Sequence, residues 1–115
     1  MKKPDDLIRV RHMLDAAGEA QTFLGEATFD EFRENRQLAH AIMRTLEIVG
    51  EAASQTTREF RLRHPEIEWK VVVGMRNRLI HAYFDINYRM VWETVRDDIP
   101  LLIQRLRTVL DQENG

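Results

Sequence analysis

Residues 74 to 84 read GMRNRLIHAYF, which places Arg76, Asn77, Arg78, His81 and Tyr83 in one short stretch between apolar residues. An arginine and a histidine working without a metal suit cleavage of RNA. The RNA 2′-hydroxyl can attack the adjacent phosphate if a base removes its proton and an acid protonates the leaving oxygen. A histidine, with an ordinary pKa near about 6.5, serves either role at neutral pH. An arginine fork holds the phosphate and stabilises its growing charge. DNA lacks that internal nucleophile, so RNA is the better substrate for such a pair.

Those side chains must be carried by a helix. At about 100° per residue, Trp69, Val72, Val73, Arg76, Ile80 and Tyr83 share one broad face. Arg76 thus stands where the stripe asks for an aliphatic residue, and a half-buried guanidinium is costly unless an anion meets it. Asn77 and His81 stack on a neighbouring face, near Lys70 and Gly74. Arg76 and His81 lie about 140° apart around an ideal axis, which favours a site at a groove between two subunits. Plainer roles exist for each group. A histidine near a helix end is ordinarily a polar or capping residue. Arg76 has internal ion-pair candidates in Glu47 and Glu51, and Asn77 suits a backbone tie.

The rest of the chain reads as helices that support this one. The first runs from about Asp5 to Phe23, with Leu7, Val10, Leu14 and Ala17 at three- and four-residue steps, and stops at Gly25. Thr28 and Glu31 have the spacing of a capping box. From there one long helix is expected to reach about Arg63, on the order of 50 Å, with Phe32, Ala39, Ile42, Leu46, Val49, Ala53 and Phe60 on its apolar face. His64-Pro65 stops it, and Pro65 suits the opening of the helix that carries Arg76 and His81 and ends near Phe84. Asp85 or Asn87 caps a last helix to about Asp111, with Met90, Val91, Val95, Leu102, Leu106 and Val109 as its stripe and a kink at Pro100. Only the terminal QENG looks loose. The expectation is a single all-α domain over residues 1–115, an antiparallel bundle of four main helices with short connections.

Composition narrows the class. The 115 residues are 43% hydrophobic and 31% charged, as in ordinary globular proteins. Without cysteine there are neither disulfides nor thiolate metal sites, and a reducing interior is the natural home. Pro4 and Asp5-Asp6 interrupt the N-terminal region where a signal peptide needs an apolar core, and no apolar run approaches a membrane span. A cytoplasmic protein with no membrane partner is expected. Seventeen basic and nineteen acidic residues give a net charge of −2, so any phosphate contact relies on a local patch.

Arg76, then NRLI, then His81, Ala82 and Tyr83, form an arginine, four residues, histidine, one residue, tyrosine pattern. Together with LEIVGEAA (46–53), HPEIEWKVVVGMRNRLIHAYFDIN (64–87) and DDIPLLIQRL (97–106), it resembles the HepT-like family of HEPN-domain toxins, over roughly residues 38 to 107. The resemblance implies a metal-independent RNase, the toxin of a type VII toxin–antitoxin pair, acting as a homodimer with its two motifs facing a shared cleft. It implies a partner, the MntA-like minimal nucleotidyltransferase antitoxin, which neutralises the toxin by transferring AMP from ATP to the motif tyrosine. Arg76 and His81 become the catalytic pair, Asn77 a supporting group and Tyr83 the AMPylation site. Arg78 and Lys70 add positive charge for RNA.

Other groups are weighed more simply. His12, His40 and His64 lack the mutual spacing of a metal site, and no metal or cofactor is expected. His64 reads as a capping or loop residue. Glu51 after Gly50 reads as a supporting hydrogen-bond partner of the motif helix, with a catalytic role the lesser alternative. Arg58, Arg61 and Arg63 suit a helix C-terminal dipole, or else an RNA or antitoxin contact. Trp69 reads as core or dimer interface, with a base-stacking platform the lesser alternative. The rival for the whole molecule is a non-catalytic HEPN module that binds nucleotide or docks a nucleotidyltransferase.

Overall fold

A computed structural model describes residues 4–82 and 86–114. The side chains of Pro4, Arg76, Leu79, Ile80, His81 and Ala82, and the whole of Tyr83, Phe84 and Asp85, lie outside the described residues. Helices α1 (Pro4–Leu24), α2 (Phe29–Arg33), α3 (Arg36–Ser54), α4 (Arg58–Arg63), α5 (Trp69–Ala82) and α6 (Tyr88–Glu93) are followed by a π-helical segment, Thr94–Asp98, that runs directly into α7 (Ile99–Asn114). The fold is all-α, and no strand occurs among the described residues. Four long rods make the body: α1, α3, α5 and the continuous α6–α7. Helix α3 packs against α1 on one side and α5 on the other, and α7 closes against α1.

The first rod follows its sequence pattern. Val10, Met13, Ala17, Ala20 and Leu24 are buried along α1, with Leu7 and Leu14 packed at the edge of the core. Gly25 ends the helix with φ +53, a left-handed conformation that glycine adopts without a Cβ penalty, and its N–H donates to the Gln21 carbonyl at 2.9 Å. The capping box at Thr28 and Glu31 forms as expected, with reciprocal bonds of 2.9 and 3.1 Å.

The long helix to Arg63 does not form as one piece. Asn35 interrupts it by turning its Oδ1 back to accept the Leu38 N–H at 3.0 Å, which starts α3 afresh. A second break follows Ser54. Thr57 caps α4 by accepting the Phe60 N–H at 3.2 Å, while its own N–H and hydroxyl donate to the Asp6 carboxylate of α1 at 2.8 and 2.7 Å. Asparagine and threonine offer the backbone an alternative to the helical ladder, and here both offers are taken. The apolar face survives the breaks: Phe32, Ala39, Ile42, Leu46, Val49, Ala53 and Phe60 are all buried.

Pro65 does not open α5, which begins four residues later at Trp69. The intervening turn buries Ile67, and the Trp69 indole donates to the His64 carbonyl at 2.9 Å, so packing and that bond hold residues 65–68 out of a helix. Asn87 caps α6 through the Met90 N–H at 3.0 Å. Where a kink is expected at Pro100, the structure has the π segment just before it. The Ile99 N–H bonds five residues back to the Thr94 carbonyl, and this wider turn gives the Pro100 ring room that an ordinary α turn denies it. Of the terminal QENG, the described residues 112–114 are not loose either. Helix α7 continues to Asn114, and Glu113 accepts from Arg63 and His64.

Candidate functional site

Helix α5 positions the cluster. Trp69, Val72 and Met75 are buried along it against the core, and the first turn is joined to its approach by a Val72 N–H to Glu68 carbonyl bond of 3.0 Å. Met75 carries the stripe at a position the sequence pattern passed over. Lys70, Val71, Asn77 and Arg78 are exposed, so α5 offers one face to the core and one to solvent. The backbone positions of Arg76, Asn77, Arg78 and His81 all fall within this uninterrupted helix.

Arg78 and Asn77 stand on the last turns of α5, and Lys70 on the first. Arg78 lines a cleft of about 400 Å3 together with Asn87, Arg89, Glu93, Asp97 and Asp98 from the α6 side. Glu51 lies half-buried on α3 and lines a different groove, of about 280 Å3, with Arg9, His12 and Arg44 between α1 and α3. Its Oε2 accepts from Gln55 Nε2 at 2.9 Å. Glu47 pairs with Arg44 at 3.2 Å. The expected roles of Arg76, His81 and Tyr83 rest on side chains outside the described residues.

Several residues left open by the sequence have clear tasks in the fold. Arg61 lies across the end of α3, donating from Nε to Thr56 Oγ1 and from one guanidinium nitrogen to the Ala53 and Ser54 carbonyls at 3.1 and 3.0 Å. It therefore closes a helix C-terminus, the plainer of its two readings. His64 is the C-cap of α4 and is buried, with Nε2 2.5 Å from Glu113 Oε2 and its ring 4.7 Å from that of Phe60. Arg63 donates to the same carboxylate oxygen at 3.1 Å. The His64 hydrogen bond, foremost, and the Arg63 guanidinium hold the Glu113 carboxyl below its ordinary range against the opposing effect of burial. Trp69 is core. Among the described residues, no group of three His, Asp or Glu side chains is arranged to hold a metal ion. Among the described residues, no helix is long and apolar enough to cross a membrane.

One constellation escaped the sequence reading. The Arg89 guanidinium lies 3.9 Å from the Phe29 ring centre, and that of Arg96 lies 4.8 Å from Trp92. Phe29 meets Trp92 edge to face at 5.6 Å, and the Trp92 indole donates to the Ala27 carbonyl at 3.2 Å. The three- and four-residue spacing of Arg89, Trp92 and Arg96 was a legible signal, while Phe29 comes from a distant helix.

A family model described as ribonuclease HepT-like matches residues 13–109, most of the chain. A protein of Caldanaerobacter subterraneus subsp. tengcongensis named a "Putative RNase" is 42% identical over 86 residues, which cover 75% of this chain and 77% of the relative. A "Putative RNase" of Methanocaldococcus jannaschii is 35% identical over 109 residues, 95% of this chain and all of the relative. The "Probable ribonuclease HepT" of Thermococcus cleftensis is 42% identical over 82 residues, 71% of this chain and 74% of the relative. No solved structure gives a significant match.

Proposed function

This chain belongs to the HepT-like ribonuclease family, and from that membership we propose that it is an RNase toxin that cuts RNA without a metal. The observation that carries the reading is that the family match spans the whole Arg76–His81 segment, with both positions in one unbroken helix. Arg76 engages the phosphate. His81 accepts the 2′-hydroxyl proton as the oxygen attacks phosphorus, and an acid returns a proton to the departing 5′-oxygen. The P–O5′ bond breaks, leaving a cyclic phosphate on one product and a hydroxyl on the other. Asn77, Arg78 and Lys70 lend polar and positive contacts, and exposure of all three supports that use. Glu51 supports α5 from α3.

Two copies form the working unit, with the motifs facing one cleft. A MntA-like nucleotidyltransferase antitoxin silences the enzyme by moving AMP from ATP to the Tyr83 hydroxyl, with release of pyrophosphate. The bulk and negative charge of the nucleotide then exclude RNA from the cleft.

The test is cleavage of total cellular RNA by purified, unmodified protein in excess EDTA, with His81→Ala and the AMPylated form alongside. Cleavage by the wild type and by neither of the others is expected. Retained cleavage by a folded His81→Ala protein overturns the mechanism, and inactivity of the folded wild type on every RNA favours the non-catalytic module.

A further inference from the structure

We infer that the cleft between the α1–α2 turn and the α6–α7 rod is a stacking platform for single-stranded RNA that flanks the cut. The inference rests on the RNase reading for its ligand. The cleft has a volume of about 520 Å3 and is lined by Gln21, Gly25, Thr28, Phe29, Trp92 and Arg96. That is within the range of sites that admit a small organic ligand, and a nucleotide is such a ligand.

Its wall has the two components that hold unpaired RNA. The first is a fixed aromatic plane. Trp92 is half-buried, its indole is tied to the Ala27 carbonyl at 3.2 Å, and Phe29 packs edge-on at 5.6 Å. Stacking on such a ring tolerates any base because every base presents a π-face. The second is a pair of guanidinium groups bracketing the rings: Arg89 against Phe29 at 3.9 Å and Arg96 against Trp92 at 4.8 Å. Guanidinium planes stack on bases as aromatics do, while their N–H donors hold phosphate. Arg96 is exposed and makes no ion pair among the described residues, so those donors are open to a phosphate. Among the described residues, the ion pairing of Arg89 is a long, exposed contact with Glu93, at 4.0 Å.

Placement connects the platform to α5. Arg89 also lines the cleft that Arg78 enters from α5, so one arginine borders both spaces. Arg89 and Arg96 are seven residues apart on the α6–α7 rod, about 10 Å along its axis. Glu93, Asp97 and Asp98 line the Arg78 cleft, whereas Glu26, on the α1–α2 turn, is the acidic residue lining the Trp92 cleft, so most of the acidic groups sit beside the path to the aromatic end.

Binding and cutting separate in the test. His81→Ala protein, which binds without cutting under the RNase reading, is titrated with a single-stranded oligouridylate while tryptophan emission is recorded. Trp69 is buried and Trp92 half-exposed, so quenching reports the platform. Saturable quenching is expected, abolished when Trp92→Phe is added. Arg96→Ala is expected to weaken binding about tenfold. Arg107→Ala, which removes the same charge about 16 Å further along the rod, is expected to change it less than about twofold. RNA that binds without quenching, or with equal affinity to Arg96→Ala, overturns the platform and leaves the arginines as a surface clasp between α2 and α6. Quenching in a protein whose wild type cuts no RNA keeps the platform and sinks the RNase reading. Cutting without quenching does the reverse.

Discussion

Asp6 shows how much one side chain can hold. It is buried on the first turn of α1 and accepts both the N–H and the hydroxyl of Thr57, 51 positions away, at 2.8 and 2.7 Å. That pair fixes the start of α4 against α1, and Thr57 in turn caps α4 through Phe60. Removing the carboxylate leaves two partly buried donors without their acceptor, which costs about 2 kcal/mol. Asp6→Ala is therefore expected to lower the melting temperature by about 8 °C, with Asp6→Asn intermediate because one acceptor oxygen remains. An unchanged melting temperature for Asp6→Ala would reject this account. The residue was invisible in the sequence, where Asp5 and Asp6 look like a plain acidic first turn. Thr28 was visible because its partner, Glu31, is three residues away. A reciprocal cap, with both partners within four residues, is legible, whereas a bond completed from another helix depends on the tertiary fold.

The same distinction governs the elements. The apolar periodicity correctly chose the buried face from Phe32 to Phe60, but it could not see the two breaks within that span. Asn35 and Thr57 cap new helices because the core rewards a change of direction that local propensity does not require. Pro65 failed as a helix start for a related reason, since burial of Ile67 and the indole bond to His64 outweigh its favourable φ. The helix holding Arg76 and His81 was legible because its apolar spacing is strong. The end of α7 was not, because Glu113 gains its role only from His64 and Arg63 across 49 and 50 positions. That clasp has a pH signature. Glu113 ionises below its ordinary range in the folded chain, so its stabilisation is complete above about pH 4.5 and disappears as the pH falls through the lowered value. At pH 7, Glu113→Gln is expected to cost about 1 kcal/mol, and the gap from wild type is expected to close in melts near pH 3. A gap that persists at acid pH would assign the effect to packing instead.

At the scale of the whole molecule, the proposed site poses a geometric problem that a second copy resolves. Helix α5 is continuous from Trp69 to Ala82, so the five-residue step from Arg76 to His81 turns about 140° around its axis. Two groups so placed on one helix diverge, whereas Arg76 from one copy and His81 from the other can converge across a twofold axis. Arg76→Ala and His81→Ala homodimers are then each inactive for a different reason. When the two are mixed and allowed to exchange subunits, about half of the dimers carry one of each. In every such dimer one composite site has lost both groups and the other keeps both. Recovery to about a quarter of wild-type cleavage is therefore expected, measured on the same RNA after incubation long enough for exchange. If each site draws both residues from one chain, every mixed dimer contains two damaged sites and cleavage stays at the level of the separate variants. Confirmed subunit exchange without recovery would thus place Arg76 and His81 in a site within one chain, reached through the long arginine arm.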